Sequence, residues 1–456
     1  MNLKPYPEYK DSGVAWLGDV PKHWEIHRNG NVFYEVVDIN HPDEELLSMM
    51  ITKGIVKQSS TGRKIRASED RSAYKRIKIG DIGYNLMNAF FGGIGASKYE
   101  GILSPAYAVC RPRFTLEPWY FHYLFRTPIF MSVFNSFSYG IMYERNRLYF
   151  ERFKVITSPL PPKEEQERIV NFLKYKTSQI ARFIKAKKRM IELLKEQKQV
   201  IINDAVTGKI VIKDEGGRLK AEKRPDSSFI PHPSSFLQTV PDGWEVRRLR
   251  FLASITTGNK DTVDNVKDGV YPFFVRSQTI ERINTYTYDG EAVLTAGDGV
   301  GVAKVFHYID GKFDYHQRTY KFADFKYISG KFFFYYMKSN LHKEVLMLSA
   351  KSTVDSLRFP MLQNFIFAIP PTEEQSQIVS YIETKTAALD HAIFRTEREI
   401  ALMQEYRTRL VSDVVTGKID VRDIEIPDIA DIDNTIDESI DEPEGEEELE
   451  TAEAEE

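Results

Sequence analysis

Between residues 161 and 210 the apolar positions fall on one narrow stripe. Ile169, Leu173, Ile180, Ile184, Ile191, Leu194 and Ile201 follow one another at steps of three, four and seven. That spacing predicts a long α-helix with a single seam, as in a two-helix coiled coil. The same spacing returns 209 residues later at Ile378, Ile382, Leu389, Ile393, Ile400, Met403 and Leu410. Pro161-Pro162 breaks the preceding element, and Glu164, Glu165 and Glu167 place acid at the positive end of the helix dipole. Gly208 and Gly417 stand where a helix-terminating glycine belongs. About 43 residues at 1.5 Å rise make a rod of about 65 Å.

The stripe belongs to a larger internal repeat. Residues 161–210, from Pro-Pro-x-Glu-Glu-Gln to Thr-Gly-Lys-Ile, match 370–419 without a gap, with 20 identities in 50 positions. Val20-Pro21-Lys22-His23-Trp24-Glu25 returns as Val240-Pro241-Asp242-Gly243-Trp244-Glu245, at an offset of 220. The segments between, about 29–160 and 249–369, differ in length and share little sequence. A kept frame with changed filling is expected where the frame meets one partner twice and each filling meets a different target. Two stripes in one chain bury most cheaply against each other. Antiparallel pairing gives a pseudo-twofold layout with the globular segments at opposite ends, able to hold readers on the order of one to two DNA turns apart. The competing readings are an old duplication with drifted loops and a helical hairpin inside one globular domain.

The fillings read as β-rich. Short apolar or alternating runs (Arg76–Ile79, Tyr107–Val109, Ala292–Leu294, Lys304–Phe306, Phe365–Ile369) are separated by Gly80-Asp81, Gly92-Gly93, Gly297-Asp298-Gly299 and Asp310-Gly311. Shorter helices are expected at Pro118–Phe125 and Gly330–Leu348. The expected fold class is α/β (mixed α+β): two β-rich globular domains separated by two long antiparallel coiled-coil helices. The boundaries are 1–160 for the first domain, 161–212 for the first helix and 213–239 for a polar linker. The second domain is 240–369, its helix 370–421, and 422–456 a disordered acidic tail.

Charge changes the picture. The net charge of −4 hides a tail from Arg422 to Glu456 holding 17 Asp or Glu and one Arg. Residues 1–421 carry 61 Lys or Arg against 49 Asp or Glu, a net of +12 that suits a polyanionic partner. No run of about 18 apolar residues predicts a membrane span, and the N-terminus lacks a signal-peptide pattern. The single Cys110 leaves no disulfide framework or multi-cysteine metal site. The expected compartment is the cytoplasm.

The duplicated Pro-Pro-x-Glu-Glu-Gln helix ending in Thr-Gly-Lys, with Val-Pro-x-x-Trp-Glu heading each half, resembles the specificity subunits of Type I restriction-modification systems. The resemblance covers all but the acidic tail. Asn85-Leu86-Met87-Asn88-Ala89, Gly95–Gly101, Leu103–Tyr107 and Arg111-Pro112 resemble one class of target-recognition domain. Gly297-Asp298-Gly299-Val300-Gly301 with Lys304-Val305-Phe306 and Asp310–Phe313 resembles another. The resemblance implies a non-catalytic subunit that reads a split target in double-stranded DNA, one half per domain. It implies docking of two methyltransferase (modification) subunits on the helices and recruitment of ATP-dependent restriction subunits. No cofactor or metal is expected in this chain; S-adenosylmethionine, ATP and Mg belong to the partners.

Motifs for chemistry of its own are missing. The Pro-Pro pairs, Leu160-Pro161-Pro162-Lys163 and Ile369-Pro370-Pro371-Thr372, lack the amide and ring of an adenine methyltransferase loop. Phe91-Gly92-Gly93-Ile94-Gly95 fits a cofactor pattern but has no such loop beside it. Thr207-Gly208-Lys209-Ile210 lacks the first glycine and the Ser/Thr of a phosphate loop. Pro241-Asp242 with Glu245 lacks the lysine of a nuclease site, Arg247 standing there instead. A coiled-coil scaffold without DNA specificity remains the alternative function, and a self-sufficient methyltransferase or nuclease a third.

Sequence readout needs side chains that reach base edges; phosphate contacts need only positive charge. Candidates in the first domain are Arg63, Lys64, Arg66, Asn85, Asn88, Lys98, Tyr143, Arg145, Asn146 and Arg147. In the second they are Lys260, Arg276, Ser277, Gln278, Lys304, Gln317, Arg318, Lys351, Ser352, Thr353 and Arg358. Arg145, Arg147 and Arg358 precede the helix frame in equivalent places. Lys185, Lys187 and Lys188 read as the solvated face of the first helix.

Overall fold

The computed structural model describes residues 3–51, 53–61, 70–140, 146–233, 237–299, 301–348 and 356–427; the segment read as a disordered tail lies almost wholly outside them. The fold is mixed α+β. The chain divides into two compact units, Met1–Arg189 with Glu397–Glu456, and Met190–Thr396. Both expected long helices are present as continuous 44-residue α-helices, Lys163–Val206 and Thr372–Val415, and each contributes a segment to both units. The stripe is inside: Ile169, Leu173, Ile184 and Ile382 are fully buried, and Leu194, Ile201, Leu389 and Met403 half-buried.

In the first unit the start of the first helix lies with the end of the second. Tyr6 donates its hydroxyl to Glu165 at 2.7 Å while the Arg422 guanidinium stacks on its ring at 5.1 Å. Further along, Lys187 pairs with Glu399 at 2.7 Å. The helices therefore run antiparallel there. The second unit repeats the arrangement in its own segments. Lys198 pairs with Asp390 at 2.6 Å, and Arg224, whose N–H reaches Lys209 O near the end of the first helix, also holds Glu374 at the start of the second.

The two repeated motifs meet in each unit, and the contact explains their composition. Glu165, 6% exposed, accepts from Trp24 Nε1 at 2.9 Å and from Tyr6; its counterpart Glu374 accepts from Trp244 Nε1 at 3.1 Å. The following glutamine, Gln166 or Gln375, donates to the carbonyl five residues before it, Pro161 or Pro370, at 2.8 and 3.0 Å. Each also accepts a backbone N–H from the globular part, Glu117 N at 3.0 Å or Ser329 N at 2.8 Å. The preceding Glu164 and Glu373 point to solvent. A buried tryptophan N–H needs an acceptor, and the second glutamate of each motif supplies it.

The glycine ending each helix completes the joint. Gly208 and Gly417 have φ of 68° and 80°, the left-handed region that favours glycine. A Cβ on Gly417 would lie 2.3 Å from Pro21 Cδ, and one on Gly208 2.4 Å from Pro241 Cγ. Antiparallel strands finish the frame with the same register in both units: Glu25–Arg28 on Thr157–Leu160, and Glu245–Arg248 on Ile366–Ile369.

The fillings differ as their sequences do. The first unit holds a four-stranded antiparallel sheet in the order Phe33–Glu35, Tyr107–Pro112, Ile82–Asn85, Ile94–Ala96, beside helices Pro118–Phe125 and Pro128–Phe137. Both helices begin on a side-chain cap followed by proline: Glu117 accepts from Trp119 N, and Thr127 from Phe130 N. Phe33, Phe121, Phe125, Phe134 and Phe153 are fully buried, with ring centroids 5.0–6.4 Å apart. Cys110 is a core residue, its thiol pushed well above the ordinary range by burial.

The second unit holds a six-stranded sheet in the order Ser254–Thr257, Thr319–Ala323, Tyr288–Ala296, Phe306–Tyr315, Tyr271–Phe274, Glu281–Ile283. One pairing is parallel, Tyr271–Phe274 with Phe306–Tyr315. Helix Gly330–Leu348 packs Phe332, Phe333, Tyr336 and Met337 into the core. Two differences from expectation stand out. The polar stretch read as a linker contains part of a hairpin, Ile210–Asp214 on Leu219–Lys223, turned by Gly216-Gly217 with Asp214 accepting from Gly217 N at 2.7 Å. Its Ile212 is buried and Leu219 and Ala221 half-buried, an alternation masked by lysines on the other face. Arg422, the first residue of the expected tail, is held by Asp420 at 2.7 Å and by Tyr6.

Candidate nucleic-acid interface

In the second unit three loops converge at the ends of adjacent strands. Residues 275–280 follow Tyr271–Phe274, residues 297–299 and 301–305 follow Tyr288–Ala296, and His316–Arg318 joins Phe306–Tyr315 to Thr319–Ala323. Gly297 N donates to Arg318 O at 2.8 Å, and His307 Nε2 bonds Ser277 O at 2.9 Å. Gln278 Nε2 reaches Lys304 O at 3.5 Å. Gln317 N donates to Lys260 O at 2.8 Å, and Leu357 N to Gly297 O at 2.7 Å, with Ser356 bridging Asp298. Lys260, Arg276, Ser277, Gln278, Lys304, Gln317 and Arg318 are thereby gathered, and Arg358 follows Leu357 directly. Arg276, Ser277, Gln278, Lys304, Gln317, Arg318 and Arg358 are exposed and Lys260 is half-buried.

Two carboxylates that sequence reasoning did not single out organise this cluster. Asp298 accepts from Arg276 Nη1 at 3.0 Å through one oxygen and from Arg318 Nη1 at 2.9 Å through the other. Burial raises the Asp298 carboxyl, but the two guanidiniums outweigh it and leave it below the usual carboxylate range. Asp261 accepts from Gln317 Nε2 at 2.6 Å and faces His316 Nε2 at 3.5 Å. The only sequence signal was Gly297-Asp298-Gly299, which reads equally well as an ordinary turn.

The first unit gathers fewer of its candidates. Asn85 is 2% exposed and spends its side-chain oxygen on Met87 N at 2.8 Å and Asn88 N at 3.2 Å, so it builds a turn. Asn88 is half-buried at the start of the short helix Ala89–Phe91. Lys98 is exposed above the Trp119 ring, 5.8 Å from its centroid. Arg147 is exposed beside the half-buried Asn146, and its backbone pairs with Tyr139 in both directions. Leu148 N then donates to Leu86 O at 2.8 Å, matching Leu357 N to Gly297 O. The match places Arg147 at the position of Ser356, while Arg358 corresponds to Tyr149, so the two arginines flank the equivalent leucines on opposite sides. Arg63, Lys64, Arg66, Tyr143, Arg145, Lys351, Ser352 and Thr353 lie outside the described residues.

The helices present a second feature absent from the sequence reading. In the first unit Phe183, Leu402 and Tyr406 are 37–54% exposed; in the second Met190, Leu193, Val200 and Phe394 are 44–64% exposed. Of the lysines read as a solvated face, Lys187 is paired with Glu399, while Lys185 and Lys188 are exposed. Among the described residues no group of His, Cys, Asp and Glu could hold a metal ion, and no helix is long and apolar enough to cross a membrane.

Residues 241–394 match the Type I restriction modification DNA specificity domain. The chain is 27% identical over 180 residues to the EcoDI Type I restriction enzyme specificity subunit of Escherichia coli, covering 40% of this chain and 39% of that one. It is 24% identical over 200 residues to the EcoBI specificity subunit of the same organism, covering 41% and 42%. The chain thus matches about two fifths of the length of these curated relatives. Its fold is similar, at a TM-score of 0.60 and 17% identity, to a chain solved in work on complex assembly and conformational transition of the type I R-M system, covering 88% of this chain and 99% of that one.

Proposed function

We propose that this chain, a member of the family of Type I restriction-modification specificity subunits, reads a bipartite target in double-stranded DNA, one half with each globular unit. One observation carries the reading. The tryptophan–glutamate bond and the two glutamine bonds that join helix to globular part occur in both units, while the surfaces they position differ in fold and in exposed side chains. Repeated joints with unlike fillings suit a common scaffold for two separate readings.

The exposed apolar residues of the helices, Phe183, Leu402 and Tyr406 in one unit and Met190, Leu193, Val200 and Phe394 in the other, are where two methyltransferase subunits would dock. ATP-dependent restriction subunits would join that assembly. The chain takes no catalytic step in this reading. S-adenosylmethionine, ATP and Mg chemistry is assigned to the partners, since the methyltransferase, phosphate-loop and nuclease motifs are incomplete here.

Exchange of residues 29–160 for another recognition domain tests the reading. The recognised sequence, selected from a random duplex pool, should change in one half and keep the other. Affinity for the selected duplex should also fall steeply with salt as phosphate contacts release counterions. A selected sequence changed in both halves would refute the modular reading, and the absence of any sequence preference would favour the scaffold alternative.

A further inference from the structure

Arginines that only neutralise phosphate need no fixed orientation, and a carboxylate among them works against the contact. The second unit nevertheless places Asp298 between Arg276 and Arg318, one carboxylate oxygen to each. Each guanidinium commits Nη1 to Asp298, and no other side-chain hydrogen bond of either arginine is present among the described residues. Most of the five N–H donors of each arginine therefore stay available. The side chains of Arg276 and Arg318 are 43% and 60% exposed, against 23% for Asp298.

The backbone is built to bring the three together. Gly299 has φ of 74°, which lets the loop turn after Asp298. A Cβ on Gly297 would lie 2.8 Å from Arg318 O, and one on Gly301 2.5 Å from Arg276 O. Glycines are thus required for both arginine-bearing loops to approach the Asp298 loop. This accounts for the glycine spacing of a motif that the overall functional reading leaves unexplained.

We infer that Arg276 and Arg318, each tethered through Nη1 to Asp298, are the guanine-reading pair of the second unit, and that Asp298 is their positioning residue. A guanidinium tethered at Nη1 keeps Nε and Nη2 to present as a flat fork to O6 and N7 of guanine in the major groove, the geometry of bidentate readout. A fixed fork also loses less side-chain freedom on binding than a free one. This inference rests on the sequence-specific DNA reading proposed above and adds which base and which side chains.

The test uses the full chain. A duplex is selected from a random pool by the unaltered protein, and affinities for it and for an unrelated duplex are compared across Arg276→Lys, Arg318→Lys and Asp298→Asn. Lysine keeps the charge and loses the fork. Each arginine variant should lose about 10- to 100-fold in affinity for the selected duplex at a G·C pair of one half-site. Affinity for the unrelated duplex should change less than about threefold, because phosphate contacts carry no sequence information. Asp298→Asn should relax the same base pairs with the salt slope unchanged, which a merely structural role would not do. Should that variant fail to fold by its melting profile, the two lysine variants decide alone. Equal losses on both duplexes, or losses at A·T pairs only, would overturn the inference while leaving sequence-specific binding standing. An unaltered protein without sequence preference would remove both.

Discussion

The motif joint of the first unit makes a quantitative claim about Glu165. Its carboxylate accepts from the Trp24 indole at 2.9 Å, from the Tyr6 hydroxyl at 2.7 Å and from His23 at 2.7 Å. Trp24 is fully buried and Tyr6 is 3% exposed, so neither donor can turn to water if the acceptor is removed. Each orphaned buried donor costs about 1–3 kcal/mol, toward the upper end where the lost acceptor was charged. His23, with a side chain 39% exposed, adds little. Glu165→Ala should therefore weaken the first unit by about 4 kcal/mol. Glu165→Gln, which keeps one carbonyl oxygen for both donors, should cost about 1 kcal/mol. Glu164→Ala, at the exposed neighbour, should cost no more than about 0.5 kcal/mol of dipole interaction.

The chain has two compact units, so a single melting midpoint would blend them. Hydrogen exchange read on the strand pair Glu25–Arg28 with Thr157–Leu160 separates them, with Glu245–Arg248 and Ile366–Ile369 as the internal reference. A loss of 4 kcal/mol corresponds to exchange faster by about three orders of magnitude where global opening of the unit limits it. Acceleration below about fivefold, an equal effect from Glu164→Ala, or equal acceleration in the second unit would refute the assignment of Glu165 as the acceptor that locks the joint.

Two further outcomes follow from other contacts. Gly417→Ala meets both the left-handed φ of 80° and Pro21 Cδ at 2.3 Å, and should cost about 3 kcal/mol. Gly216→Ala, at φ of 66° with nothing within 4 Å, should cost only about 1 kcal/mol; equal costs would show that the packing against Pro21 is unimportant. Burial pushes the Glu344 carboxyl up to about 7, against an opposing backbone bond from Ile366, and its Oε2 is buried without a hydrogen-bond partner among the described residues. A raised acid favours the folded state when protonated, so its contribution is intact below about pH 4.5 and is lost as pH rises toward 7. Glu344→Gln should stabilise the second unit by on the order of 2 kcal/mol at pH 8 and by nothing at pH 4; a gain independent of pH in denaturation midpoints would contradict this.

Periodicity and self-similarity were sufficient for the helices, because a seam of buried residues every three to four positions is a local property that survives in one dimension. Ile169 to Leu410 fell inside as their spacing required, and the boundaries Pro118–Phe125 and Gly330–Leu348 followed from proline, glycine and apolar content. The chain order could not say why Pro-Pro-x-Glu-Glu-Gln and Val-Pro-x-x-Trp-Glu both recur. Glu165 and Trp24 stand 141 residues apart, and their bond exists only once Glu25–Arg28 pairs with Thr157–Leu160. Likewise chain order does not show that Asn85 spends its side-chain oxygen on a local turn, nor that Asp298, a turn residue by its flanking glycines, meets two arginines from 22 residues before and 20 after. Spacing along the chain dictates which side of an element is buried; which polar groups then find one another depends on where distant strands end, and that is set by packing.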